Sequence, residues 1–264
     1  MNEMPDRKMI GVDPYANERL LESPFHPRQA PLNLREAWSA WNGYRFAEYY
    51  YDSVYEYFCV RNACATYDIS PMQKYIISGG DSEAMLNRMV TRDVSKQKEN
   101  RVSYVVWCND EGRMVDDGTI FKLASDRFML TCGSSCIAWL KMSAFGFADV
   151  TIEDVSDQTA ALSFQGPTTC AVLKKMGLQG IETAKPFDIR HFPFATGTLM
   201  VSRTGFTGDL ATNYGSNLRW RLNCGIGCMR SALITAFSPL AKQPPIWRVL
   251  KPVSSCPTWN SMRR

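Results

Sequence analysis

Two adjacent carboxylates, Asp116 and Asp117, follow the turn Asn109-Asp110-Glu111-Gly112 in the run Gly112-Arg113-Met114-Val115-Asp116-Asp117-Gly118. On a strand, neighbouring side chains point to opposite faces. One acid therefore meets solvent or caps the turn, and the other looks into the fold or a cleft. An inward carboxylate is costly unless it is paired or hydrogen-bonded. Held in a cleft, it suits hydrogen bonding to a nitrogen-rich ligand or compensation of a developing positive charge. Two structural acids beside a turn are the other reading of the same spacing. Arg203 is a further candidate. It lies in Ser202-Arg203-Thr204-Gly205-Phe206-Thr207-Gly208-Asp209, where a strand runs into a loop with two glycines. Those glycines permit positive φ and close ligand approach. The guanidinium suits a carboxylate ligand or a surface ion pair.

Metal chemistry is not expected. Cys132/Cys136 and Cys224/Cys228 are C-x3-C pairs, neither has a second pair at zinc-finger spacing, and the histidines are His26 and His191. Reduced thiols are the expectation.

The elements that must position these groups follow from periodicity and punctuation. Lys74 to Ser78 is a strand ending in Gly79-Gly80, and Asp81 is placed to cap a helix over Ser82 to Val90. Val102 to Trp107 and Met114 to Leu123 form a hairpin around the Asn109–Gly112 turn, and Arg127 to Cys132 is a third strand. A helix is expected around Ile137 to Phe145, with strands over Val150–Val155 and Ala160–Gln165. Gly166-Pro167 stops the last of these, Thr168 opens a helix through Met176, and Gly197 to Arg203 is another strand. Asn33 to Asn62 is dense in aromatics; Val54, Phe58 and Arg61 fall at helical spacing, on either a core stripe or a cleft wall. Strands and helices mix without a regular βαβ period, so the fold class is α+β with mainly antiparallel sheet.

Charge divides the chain. All 26 acidic residues lie in the first 210 positions with 22 basic ones, whereas Ala211 to Arg264 carries 8 basic residues and no acid. At the acidic frequency of the first part, such a stretch arises about once in a thousand. The basic residues of the tail are scattered, so no nucleic-acid partner is expected. No apolar run reaches the roughly 18 residues that span a bilayer, and Met1 to Arg19 lacks the apolar core of a signal peptide. No membrane association is expected, and a cytoplasmic location is the default. Residues 1–33 read as an extended arm, 34–210 as the folded region with two interleaved and incomplete subdomains, and 211–264 as an irregular basic tail.

Four segments are specific in combination. Tyr67-Asp68-Ile69-Ser70, Cys108-Asn109-Asp110-Glu111-Gly112 leading to Val115-Asp116-Asp117, Phe164-Gln165-Gly166-Pro167, and Ser202-Arg203-Thr204-Gly205-Phe206-Thr207-Gly208 occur in this order. In order and spacing they resemble the aminomethyltransferase family, whose type member is the T-protein of the glycine cleavage system. The resemblance covers about residues 30–210. It implies a tetrahydrofolate-dependent one-carbon transferase that takes an aminomethyl group from the lipoyl arm of the H-protein. It assigns catalysis to Asp117 and a folate-lining role to Met72, Tyr104, Val115, Cys132, Arg203 and Phe206. Departures from the family pattern are Pro71 for a histidine, Phe206 for a tyrosine, Phe121 for a tyrosine and Cys132 for an asparagine. They fit a relative with another donor, such as a tetrahydrofolate-dependent demethylase of aryl ethers, methylated amines or sulfonium compounds. A non-catalytic folate-binding fragment is the third reading.

The resemblance also accounts for the tail. The family continues with Gly-Tyr-Glu-Leu and an acidic amphipathic helix, whereas this chain reads Ala211-Thr212-Asn213-Tyr214-Gly215. A base string for those five residues, entered two bases later, reads Tyr-Glu-Leu-Trp. With allowed codons the whole tail reads in that frame without a stop and resembles the family's continuation. The expectation is a frameshift from one lost base near Leu210. T-proteins form a three-domain ring around folate, of which this chain would then supply part.

Overall fold

Thirteen strands and five helices build three sheets among the residues described by the computed structural model, 19–194, 197–207 and 211–217. In chain order these are β1 (Leu21–Glu22), α1 (His26–Gln29), β2 (Trp38–Trp41), β3 (Tyr44–Ala47), α2 (Ser53–Asn62), β4 (Ala65–Asp68), β5 (Gln73–Ser78) and α3 (Ser82–Met89). There follow β6 (Arg101–Cys108), β7 (Met114–Ala124), β8 (Arg127–Cys132), α4 (Ile137–Ala144), β9 (Thr151–Asp154) and β10 (Thr159–Gln165). The order closes with α5 (Thr169–Lys175), β11 (Ile189–Phe194), β12 (Gly197–Ser202) and β13 (Ala211–Asn217). No helix of the described residues is long and apolar enough to cross a membrane.

One five-stranded sheet has the order β6-β7-β8-β5-β9, and the other β11-β12-β13-β10-β4. Every pairing in both is antiparallel. The fold is thus α+β with mainly antiparallel sheet, the exception being the short parallel pair β1–β3 beside the β2–β3 hairpin. The chain enters the second sheet at β4, builds the first sheet from β5 to β9, and returns at β10. Pro193 sits on β11, an edge strand, where a missing N–H is tolerated.

The first sheet buries Tyr75, Ile77, Val105, Trp107, Ile120, Phe128 and Leu130 under Met85 and Leu86 of α3 and Leu140 of α4. The second buries Leu162, Phe164, Leu199 and Val201 against Leu173 of α5, with Phe25 completing the cluster. A smaller layer, Val102, Phe121, Met129 and Ile189 with Ile76 and Met200 against it, joins the two sheets.

Four expectations change. Residues 19–33 are folded rather than extended: Phe25 is buried, and His26 stacks on Trp38 with ring centroids 5.0 Å apart. The helix α2 forms, capped by the Asp52 carboxylate on the amides of Val54 (3.1 Å) and Tyr55 (2.8 Å). Its buried stripe, however, is Glu56, Cys59 and Val60, whereas Val54 and Phe58 face out. Asp81 stands at the start of α3 but accepts instead from the amides of Ala148 (3.1 Å) and Asp149 (3.0 Å). Lastly, Ala211–Asn217 is a strand between β10 and β12, not irregular chain. Ladder bonds are made by the backbone, so a segment without strand patterning in its side chains can still form them. The remainder of the tail lies outside the described residues.

Candidate functional site

Alternation along β6, β7, β8 and β5 lays a second set of side chains on the sheet face away from α3 and α4. They form rows. Val102, Phe121 and Met129 make the lowest row, roofed by Ile189 and Met200 of the second sheet. Above it Tyr104 pairs with Thr119, Thr119 with Thr131 and Thr131 with Lys74. Thr119 Oγ1 and Thr131 Oγ1 are 2.6 Å apart, which fixes both on this face. In the top row Val106 pairs with Asp117. Exposure rises as the roof ends, to 48 % at Tyr104 and 44 % at Val115. Asp117 is half-buried at this rim, where a carboxylate keeps solvent on one side.

Its surroundings are those of a prepared acceptor. The Tyr104 phenol is pushed up to about 12, by partial burial first, then by its hydrogen bond to Asp117 and the charges of Asp117 and Asp116. At neutral pH Tyr104 therefore keeps its proton and is able to offer it to the Asp117 carboxylate. Asp116 pairs with Trp107, and its carboxylate accepts from the Asp117 amide at 2.9 Å. At Gly118 an added Cβ would lie 2.4 Å from the Thr131 carbonyl oxygen. Glycine thus lets β7 approach β8 beside the acid. The arrangement can hold an N–H of a ligand on Asp117 with the Tyr104 ring exposed alongside.

The other motifs serve this face by holding its walls. Asp68 accepts from Ser23 Oγ, from Gln29 Nε2 at 3.2 Å and from the Ser70 amide at 2.9 Å, tying the N-terminal segment to the loop before β5. Lys74, 3 % exposed, turns back on that loop and donates to the carbonyls of Ser70 (2.9 Å) and Met72 (2.8 Å). Burial pulls its ammonium down to about 8, against the opposing charges of Asp68, Asp157 and Asp154. Met72 is half-buried against the layer of Cys59, Val60, Tyr67 and Ala161. Gln165 Oε1, in Phe164-Gln165-Gly166-Pro167, accepts from the Phe206 amide at 3.3 Å and Thr207 Oγ1 at 3.0 Å. One motif thereby anchors the loop formed by another. Trp41 Nε1 and Asn42 Nδ2 of the β2–β3 hairpin both donate to the Gly133 carbonyl at 2.9 Å, seating the hairpin at the end of β8.

Asp117, Tyr104 and Val115 therefore share one region of the sheet, Met72 lies on the clamped loop before β5, and Phe206 is 51 % exposed on the anchored loop. Cys132 and Arg203 are not brought to the Asp117 face. Cys132 lies on the opposite face in the apolar core, with its Sγ 3.4 Å from Cys136 Sγ. Arg203 staples the end of β12 to the segment before β11: Nη1 donates to the Ala184 carbonyl at 2.6 Å and its amide to the Asp188 carbonyl at 2.9 Å. Asp188 in turn pairs with Arg101 at the start of β6. Sequence reasoning overlooked Thr119, Thr131 and Lys74. Counting two residues on from Asp117 reaches Thr119; the pairing with Thr131 and Lys74 needs the strand register.

A family model described as the GCVT N-terminal domain matches residues 33–212. An aminomethyltransferase of Clostridium botulinum is 32 % identical over 172 residues, 63 % of this chain and 46 % of the relative. One of Bacillus subtilis is 36 % identical over 159 residues, 58 % of this chain and 43 % of the relative. The chain thus spans about half the length of the curated relatives it matches. The solved glycine cleavage system aminomethyltransferase T from Bartonella henselae has a similar fold, with a TM-score of 0.68 at 23 % identity, covering 80 % of this chain and 57 % of that one.

Proposed function

The chain belongs to the GCVT N-terminal domain family, and from that premise we propose that it is the folate-binding part of a tetrahydrofolate-dependent one-carbon transferase acting on an aminomethyl donor. The observation that carries this reading is the Asp117–Tyr104 pair on an open sheet face. The Tyr104 phenol stands by the carboxylate closely enough for its titration to feel it, and the carboxylate has acceptor positions to offer a ligand. An exposed phenol ring and a free carboxylate edge fit a flat, nitrogen-rich ring system. Asp117, Tyr104, Val115 and Met72 would hold it.

When bound, tetrahydrofolate supplies a nucleophilic nitrogen that receives the one-carbon unit. Asp117 accepts a hydrogen bond or a proton there and offsets positive charge as it develops. Tyr104 stays neutral and, by donating to Asp117, sets the orientation of the carboxylate. The row Val102, Phe121 and Met129 closes the floor of the site to water. The donor by family analogy is the lipoyl arm of an H-protein, and the setting the cytoplasm.

Three substitutions favour a second reading, a demethylase with a methylated donor: Pro71, Phe121 and Phe206 stand where the family carries hydrogen-bonding side chains. Phe121 is buried in apolar surroundings, so this position gives the site no hydroxyl.

Titrating the purified chain with tetrahydrofolate, followed by fluorescence or calorimetry, tests the binding claim. Saturable binding that weakens in Tyr104→Ala is expected; no binding would leave the chain a non-binding fragment and overturn the proposal.

We read Ala211 to Arg264 as the product of one lost base near the Leu210 codon. The family match ends at residue 212, which supports the reading. Nucleotide sequence across that codon decides it; an error-free read with no family-like alternate frame would sink it.

A further inference from the structure

We propose that Cys132 and Cys136 are an oxidation site, a dithiol placed to close into an intramolecular disulfide when a hydroperoxide is supplied. Their sulfurs are 3.4 Å apart in the reduced chain. A disulfide needs about 2.05 Å, so a movement of little more than about 1 Å closes the bond. Cys132 ends β8 and Cys136 is the residue before α4, so the moving part is the three-residue loop Gly133-Ser134-Ser135. That loop has room: Ser134 and Ser135 are exposed, and a Cβ built on Gly133 would meet nothing within 4 Å. Cys132 is fully buried and Cys136 is 7 % exposed, so a small oxidant reaches them only when this loop moves.

The chemistry balances with one hydroperoxide. One thiolate attacks a peroxide oxygen, the O–O bond breaks, and a sulfenic acid forms with release of water or an alcohol. The second thiolate attacks the sulfenic sulfur, the S–S bond forms, and water leaves. Two electrons pass from the sulfurs to the peroxide. The hydrogen bond to Cys136, then burial, then the charges of Asp116 and Asp117 push the Cys132 thiol well above its usual range. Thiolate is therefore scarce and closure slow, but the second step is intramolecular and outpaces capture by other thiols.

Closure would be felt beyond the pair. The Gly133 carbonyl that seats Trp41 and Asn42 moves with the loop. Cys132 also pairs with Gly118, next to Asp117.

Trypsin reads the state directly, because Phe128 to Lys141 is one peptide that contains Cys132 and Cys136 and no other cysteine. The reduced chain is exposed to hydrogen peroxide, unfolded, alkylated and digested. Most of this peptide should resist alkylation, be lighter by two hydrogen atoms, and return to the doubly alkylated form after dithiothreitol. In Cys136→Ser that species should vanish. Full alkylation of both cysteines after the exposed Met142 has been oxidised would overturn the proposal, as would pairing of Cys132 with any other cysteine.

Discussion

Asp117→Asn, in a chain completed to the length of its relatives, is expected to lose about a hundred- to ten-thousand-fold in turnover, the range general acid–base catalysis contributes. The fold should survive. Asparagine matches the shape of aspartate and keeps an oxygen for the Tyr104 phenol, and the position is half-buried rather than packed in the core. What is lost is the charge, and with it both the capacity to take a proton and the compensation of a cationic transition state. Steady-state kinetics and a thermal melt separate these effects. A large fall in turnover with an unchanged melting temperature assigns Asp117 to the chemistry; unchanged turnover removes it. Asp116→Asn is the internal comparison. Its carboxylate caps the Asp117 amide, and the residue stands opposite buried Trp107 in the ladder, so its replacement should move stability more than turnover.

The acid was legible because its surroundings are local. Asn109 and Gly112 announce the turn, Gly112 having φ of +75°, and period-two alternation on either side sets the two faces. The same alternation rules Cys132 out of the site, since Thr131 faces Thr119 and its neighbour must point the other way; alignment to the family motif alone put it in. Arg203 was misread for a different reason. Its role as a staple depends on the Ala184–Asp188 loop, which is distant in pattern though near in space. The β2–β3 hairpin was overlooked although Asn42-Gly43, with φ of +48° and +81°, is the strongest short hairpin signal. The density of aromatics around it hid the punctuation. On α2 the apolar spacing pointed to the wrong face, because the buried stripe includes Glu56. Its Oε1 accepts from the amides of Tyr50 (2.8 Å) and Tyr51 (2.9 Å). A carboxylate spent on backbone amides is cheap to bury, and nothing in the period of a helix reveals it.

Gly166→Ala should be among the most damaging single substitutions in the chain, costing about 4 kcal/mol, near the upper end for point mutants. Two independent costs add. The residue has φ of +123°, where an L side chain is strained, by about 1–3 kcal/mol. Its Cβ would also lie 2.3 Å from the Ala63 carbonyl oxygen and 2.8 Å from that of Val60, so the strand-to-helix corner and the end of α2 must part. Neither oxygen is the tip of a flexible side chain. The Thr168 amide donates to the same Ala63 carbonyl at 3.1 Å, so displacing it also strips the start of α5. Gly112→Ala isolates the first cost: φ is +75° there, and a Cβ meets nothing within 4 Å. Denaturant melts of both variants should differ by at least about 2 kcal/mol. Equal losses would mean that strain alone explains the glycine of the Gln-Gly-Pro corner and that the contact with α2 is soft. A gap of the expected size makes the corner the joint on which Gln165, and through it the Phe206–Thr207 loop, is held.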